Sequence, residues 1–442
     1  MKRKWLLLFL CLCLVPLLAQ ADGVPDHQRA ELKLTDVKQD NKSIVRTWKI
    51  TTALPEVDDE LNGLVQDYAQ RLGPELPKAA NNTSKNSRLD SEIRYSWTGQ
   101  SWMSFLVTAR TTYHRELTSH ELTSRTYDML TGEQIYLTDI FDEDSEAWNY
   151  LAEQIESQIT AYWPEETPDQ EQLDAWLDPD AVKEAEFTLH AMSMVLHYPA
   201  ELVYPEHHTL LEVTIMYPEI WDMMTYEGQL QTDNSHFKFV ALTYDDGPSR
   251  TPTSQLLNKL RQHGARATFF VIGNRIEKYV DLVRREHDEG HAIGAHNFTH
   301  VNISKSSYSN IRAHRTKFDK ALLEAIGIPS RYDRVPYGLY PRMVKAEVGW
   351  PYIQWSLDTY DWRGRSPNAI LSTVKKQVSD GDIILFHDIK EKTQDTADKV
   401  ITYLKNQGYI FATIDELFAR DGVELEGDKV YYRCIDGDTS RK

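Results

Sequence analysis

From Phe239 onward the chain alternates short apolar runs with amphipathic helical patterns, and no other feature restricts its fold as much. The spacing predicts strands at Phe239–Tyr244, Ala267–Ile272, His291–Ala295, Tyr352–Leu357 and Asp382–Phe386. Between them it predicts helices over Thr253–His263, Val280–Glu289, Ser309–Ile326 and Ala369–Val378, with one more inside Ile389–Asn406. The first three helices run into Gly264, Gly290 and Gly327, the residue type that most readily ends a helix. Repeated strand–helix units imply a parallel sheet, open or closed into a barrel.

Polar residues of unusual type follow the predicted strands. Asp245-Asp246-Gly247-Pro248 follows the first, His296 and then His300 the third, and His387-Asp388 the last. Asp333-Arg334-Val335-Pro336-Tyr337-Gly338 and Asp358 with Asp361-Trp362 stand at similar places. In a parallel α/β barrel all strand C-termini open on one face, so these groups can converge although they are far apart in sequence. His296 and His300 are four residues apart. On a helical turn both imidazoles would face one ion, and Asp245 or Asp246 would complete a His-His-Asp set with an open position. An open position is what a hydrolytic metal needs. Adjacent aspartates cannot point the same way from an extended strand, so one can bind metal while the other acts as base. Taken singly, two surface histidines and an Asp-rich turn are the plainer readings; their joint placement favours a site.

The first half reads differently. Trp102–Thr112 and Thr123–Leu130 have strand character, Thr131-Gly132 is a turn signal, and Gln134–Leu137 follows as a strand. Ser145–Tyr162 places Trp148, Leu151, Ile155 and Ile159 on one helical face. Phe187–Leu196 and Leu210–Met216 read as strands. The whole is an α+β pattern without a catalytic set, and Gln231–Ser235 reads as a polar linker. The acidic run Asp139–Asp144 lacks the Gly and terminal Glu of a calcium loop and reads as a solvated turn.

Met1-Lys2-Arg3-Lys4, an apolar run Trp5–Leu18 and Ala19-Gln20-Ala21 have the layout of a secretory signal peptide cleaved before Asp22. The run is shorter than the ~20 residues that span a bilayer, so no span is expected in the mature chain. Neither Cys11 nor Cys13 has a lipoprotein-type context, and both would leave with the leader. Cys434 alone would remain, which excludes an intrachain disulfide and a thiolate metal cage. The formal net charge of -18, more negative still after cleavage, argues against nucleic acid and anionic membranes as partners but not against a neutral or basic glycan.

Together these segments resemble the polysaccharide deacetylases, also called the NodB-homology or carbohydrate esterase 4 family. Thr243-Tyr244-Asp245-Asp246-Gly247-Pro248-Ser249 resembles the family's first motif and His296-Asn297-Phe298-Thr299-His300 its H-x-x-x-H motif. Arg334–Gly338, Asp358–Trp362 and Leu385-Phe386-His387 resemble the third to fifth, in the family's order, over about 237–418. Tyr244 stands where Phe is common and Val335 where Pro is usual; Pro336 already biases residue 335 to an extended conformation. The resemblance implies a distorted, incomplete (β/α) barrel behind an α+β accessory domain. The expected units are a leader 1–21, an accessory domain 22–233, a deacetylase domain 234–420 and a tail 421–442. It implies Asp246, His296 and His300 as ligands of a divalent metal, most often zinc. It implies Asp245 as general base, Arg334 as its ion-pair partner, and the Tyr337 N–H as an oxyanion donor. His387 would be the general acid, Asp361 its partner, and Trp362 and Leu385 the walls of an acetyl pocket.

Thr123–Gly132 with Ile135–Phe141 resembles domains placed before the deacetylase module in some bacterial peptidoglycan deacetylases, and extracellular parts of an anti-sigma factor that senses lysozyme. The expected function is secreted or periplasmic N-deacetylation of an amino-sugar polymer, first of all a cell-wall glycan. Chitin oligomers, poly-N-acetylglucosamine or acetylated xylan are the alternative substrates. The alternative of another class is a non-catalytic wall-binding or lysozyme-sensing protein. A protein partner is a second expectation for the accessory domain.

Overall fold

The computed structural model describes residues 25–39, 43–76, 87–113, 116–339 and 349–440, so the expected leader lies outside it. Among the described residues no helix is long and apolar enough to cross a membrane.

The N-terminal half begins with β1 (Glu31–Gln39), β2 (Ser43–Thr51), β3 (Ser87–Trp97), β4 (Trp102–Tyr113), β5 (Glu116–Asp128) and β6 (Gln134–Ile135), one sheet in sequence order. Only β2 and β3 pair in parallel, and the helix Pro55–Leu72 lies in the connection between them. That helix buries Val57, Leu61, Val65 and Tyr68 against Leu89, Ile93, Phe105 and Val107, the alternate residues of β3 and β4.

A second antiparallel sheet holds β7 (Phe187–Leu189), β8 (Ser193–Pro199) and β9 (Leu210–Met216). The single strand expected over Phe187–Leu196 is thus a hairpin. Its turn carries no Gly, Asn or Pro signal because buried Ala191 and Met192 anchor it in the core instead. Gln231–Ser235, expected as a linker, is a packed joint. Gln231 and Asn234 are buried, and Gln231 Oε1 accepts from Ser101 N at 3.0 Å and Ser101 Oγ at 3.1 Å.

The remaining strands are β10 (Lys238–Asp245), β11 (Thr268–Val271), β12 (Ala292–Ala295), β13 (Tyr352–Ile353), β14 (Leu357–Asp358), β15 (Asp382–His387), β16 (Tyr409–Phe411) and β17 (Val430–Tyr431). A parallel sheet runs β12-β11-β10-β15-β14, with β16 on the N-terminal end of β10. Bridges through Asp333 carry its edge from Ala295 to Tyr352, and β13 pairs with β17. No ladder joins β13 to β14 among the described residues, so the ring is barrel-like and open there. Period-2 alternation sorts β10: Phe239 and Ala241 pack inward with Phe270 and Ile383, while Val240, Leu242 and Tyr244 lie beneath the outer helices.

Two expectations change here. The strand expected over Tyr352–Leu357 breaks at Gln354–Ser356, and the carbonyls of Ile353 and Gln354 accept from the Arg334 guanidinium at 3.1 and 3.0 Å. The expected tail is built into the fold: Tyr431 and Cys434 are buried, and the Cys434 amide donates to Gly381 O at 2.9 Å. Burial, with Asp421 beside it, pushes the Cys434 thiol up to about 12, so it is unreactive.

The second face of the N-terminal sheet is polar and nonetheless buried. Glu92 on β3 and Arg110 on β4 meet Arg261 of the helix Pro252–His263 and Glu289 beyond the helix Val280–Asp288. Arg261 bridges Glu92 at 2.7 Å and Glu289 at 2.6 Å; Arg110 reaches Glu92 at 3.0 Å and Arg285 reaches Glu289 at 2.7 Å. Burial alone would raise both carboxyls, but the surrounding guanidinium groups, Arg261 foremost, hold them below their ordinary range. Removing one partner of such a network leaves buried charge uncompensated. Glu92→Ala is therefore expected to cost about 3–5 kcal/mol, read as a fall in the thermal midpoint of the whole chain. A variant melting with the parent would show that the two halves are not joined through these groups.

Candidate active site

The barrel's inward alternation determines what its rim presents. On β10 the inward residues are Phe239, Ala241, Thr243 and Asp245, and on β15 they are Ile383, Leu385 and His387. Asp245 and His387 are in register as neighbours across the two strands. Asp246 follows with φ 78°, a left-handed conformation that turns its side chain away from the direction of Asp245.

His296 stands just past β12. The segment to His300 is not helical. Asn297 and His300 take left-handed φ of 63° and 57°, and this reversal, rather than a helical turn, brings the two rings to 5.0 Å between centroids. Asp246, His296 and His300 each offer a ligand atom within 4.8 Å of the others. His296 Nδ1 lies 2.7 Å from the Arg334 carbonyl, which as an N–H donor would leave Nε2 with its lone pair toward the cluster. Asp246 Oδ1 is buried without a hydrogen-bond partner, though 3.0 Å from His300 Nε2. A lone pair facing a donor-free carboxylate oxygen is the chemistry of a cation site, so these residues fit a divalent metal.

Arg334 is 1 % exposed. Its guanidinium donates to Asp245 Oδ1 and Thr243 Oγ1, each at 2.8 Å, and lies 3.9 Å from the Phe270 ring centroid. Burial lowers its pKa and Asp245 opposes that, yet an arginine keeps its proton in this setting. With Oδ1 taken, Asp245 Oδ2 remains on the side of His296, 3.8 Å from Nε2.

On the other flank, Asp361 receives the His387 ring at Nδ1 (2.8 Å) and the His387 amide (2.8 Å). Burial pulls the imidazole down; the hydrogen bond and charge of Asp361, with Asp245 and Asp246, outweigh it and raise His387 to about 8. Tyr337 has φ 61° and is 61 % exposed, with its ring 4.8 Å from that of His300 between centroids. Its amide donates to no backbone carbonyl among the described residues. Trp362 adjoins Asp361 and is 46 % exposed at the mouth; Leu385 is buried two residues before His387 on the same strand face.

One residue of the rim has no role in the sequence reading. Asp388 is fully buried; Thr253 Oγ1 donates to its Oδ2, and its Oδ1 has no partner. Burial, with Asp246 nearby, pushes its carboxyl up to about 7. Its carboxyl lies against Gly247, where a Cβ would collide with both oxygens, so it supports the turn carrying Asp246 from below. The signal was in plain view, an acid directly after His387 and a glycine directly after Asp246, but their contact is tertiary.

A buried acid–base arrangement around a His/Asp cluster can carry metal-assisted hydrolysis. A family model described as polysaccharide deacetylase matches residues 232–349. The peptidoglycan-N-acetylglucosamine deacetylase PgdA of Listeria monocytogenes is 40 % identical over 199 residues, covering 45 % of this chain and 42 % of its own. A peptidoglycan-N-acetylglucosamine deacetylase of Bacillus cereus is 36 % identical over 188 residues, covering 41 % of this chain and 88 % of its own. Among solved structures, a T48 deacetylase with substrate is 35 % identical, covering 45 % of this chain and 98 % of its own, with a TM-score of 0.43. The chain belongs to the polysaccharide deacetylase family. It spans less than half the length of the Listeria relative it matches.

Proposed function

We propose that this chain removes N-acetyl groups from peptidoglycan with the help of a divalent metal, and that it works outside the cytoplasm. The observation that carries the reading is the pairing of Asp245 with Arg334 and of Asp361 with His387 on either side of Asp246, His296 and His300. The named activities of the relatives support the substrate, and the leader-like residues 1–21 support the location.

A metal held by Asp246, His296 and His300, zinc by the character of the donors, would supply Lewis-acid polarisation of water and of the acetamide carbonyl. Asp245 takes a proton from the attacking water. Arg334 binds one oxygen of Asp245 and so fixes which oxygen faces the water. The Tyr337 N–H donates to the carbonyl oxygen as negative charge develops on it. His387 delivers its proton to the amine nitrogen as the C–N bond breaks, and Asp361 keeps the ring oriented for that transfer. Acetate and a free amino sugar are the products. Trp362 and Leu385 shape the space for the acetyl methyl.

The test is acetate release from purified peptidoglycan, with mass spectrometry of the digested glycan to read which sugar has lost its acetyl group. Release that stops with chelator and returns with zinc is expected. Folded, metal-supplied protein that releases no acetate would sink the reading.

A further inference from the structure

The chain is strongly acidic, with a formal net charge of -18, yet the loops around the site carry the opposite sign. Lys278, Lys305, Arg363 and Lys392 are exposed; the last three lie on separate connections from a strand's C-terminal end to the next helix, and Lys278 lies in the turn Glu277–Tyr279 after the short helix Gly273–Ile276 that follows β11. In a parallel α/β barrel such connections surround the mouth. None of the four has a carboxylate within ion-pair distance among the described residues, and the only exposed acids on these connections are Glu277 and Glu391.

Arg363 is the most constrained of them and the nearest in chain to the reacting groups. Tyr360 and Gly364, with φ of 55° and 72°, bracket a tight turn closed by Arg363 N to Tyr360 O at 3.1 Å and Gly364 N to Asp361 O at 2.9 Å. The turn ties Arg363 two residues from Asp361, the acid that holds His387. Its guanidinium lies 4.5 Å from the Trp362 ring centroid and 4.9 Å from that of Tyr360. Stacking limits the freedom of the charge and leaves its donors unused. The contrast with nearby arginines is clear. Arg334 commits its donors to Asp245, Thr243 and two carbonyls, and Arg365 donates to Thr359 O and Thr373 Oγ1. A pre-ordered, unpaired guanidinium beside a proposed acetyl pocket is a receptor for a planar anion.

We propose that Arg363 selects an anionic glycan, pairing with a carboxylate carried next to the acetamido sugar that reacts, within a mouth whose lysines add the same sign. This rests on the deacetylase reading above. It separates the expected substrates by charge: peptidoglycan carries carboxylates on its stem peptides, or on the lactyl group where the peptide is missing, whereas chitin oligomers and acetylated xylan backbones are neutral.

The experiment uses the full metal-supplied chain and its Arg363→Gln and Arg363→Lys variants. The substrates are a muropeptide, the same muropeptide with its carboxylates converted to amides, and a neutral N-acetylglucosamine oligomer of equal length. Arg363→Gln should raise the ratio of KM for the muropeptide to KM for the neutral oligomer about fivefold, with kcat little moved. Arg363→Lys should recover part of that change. Amidation should weaken the muropeptide for the parent but not for Arg363→Gln. If Arg363→Gln moves both KM values alike, the residue merely props Trp362, and the proposal is overturned; a ratio that stays at the parent value also overturns it. If the parent released no acetate from any substrate, the deacetylase reading would fail on its own. Calorimetric binding would then decide this inference: equal affinity for native and amidated muropeptide overturns it, and a preference lost in Arg363→Gln supports it.

Discussion

Asp245→Asn is expected to keep the metal and lose turnover, while Asp246→Ala loses both. The two residues are neighbours in sequence and opposite in environment. Asp245 ends β10 on its inward face, with Oδ1 bound by Arg334 and Oδ2 directed toward the cluster. An amide there keeps shape and most contacts but cannot accept a proton, so kcat should fall by roughly 10²–10⁴. Asp246 stands past the strand, its Oδ1 within reach of both imidazoles and without a hydrogen bond. Its removal leaves only His296 and His300, and two ligands do not retain a hydrolytic metal against buffer. Elemental analysis after dialysis reads the metal, and acetate release reads turnover. Equal metal loss in both variants would show that the division of roles is wrong.

The second large effect belongs to the other flank. His387→Ala should lower kcat by about 10²–10³-fold on peptidoglycan, because the amine would depart without its proton. Asp361→Asn should do something different, which makes the pair informative. The His387 pKa is raised to about 8, so an acid at this position is protonated below that pH and is lost as pH rises through it. Asp361 is the main upward influence, while burial pulls the other way. Replacing its carboxylate by an amide should therefore move the basic limb of the kcat profile to lower pH by roughly one unit or more. A profile whose basic limb stays in place would separate Asp361 from the proton donor.

Much of the barrel was legible because each strand and helix writes its own period. The helices ending at Gly264 and Gly327 do so with the glycine in left-handed conformation. The acids and histidines past β10, β12 and β15 converge because parallel strands share a rim. What failed to show was whatever depends on a partner elsewhere in the chain. β3 was not singled out in the sequence, and its polar face is buried by Arg261 and Glu289, more than 150 residues further on. β16 and β17 are too short to carry a periodic signal, and their places are given by β10 and β13. The break after β13 coincides with Arg334 taking two carbonyls there. Asp388 went unassigned for the same reason, since its meaning lies in Thr253 and Gly247.

The site loops share a further property. Asp246, Asn297, His300, Tyr337 and Tyr360 all hold positive φ without being glycine. Asn accepts this conformation readily; for the others it costs on the order of 1 kcal/mol each. Glycine at these positions would relax the backbone and add melting temperature, but at Asp246 and His300 it would delete the side chains that face the proposed metal. The rim is thus where durability and chemistry compete in this chain. A search for hardier variants that scores melting alone would drift toward well-folded barrels that no longer turn over, and such a search should score acetate release from the first round.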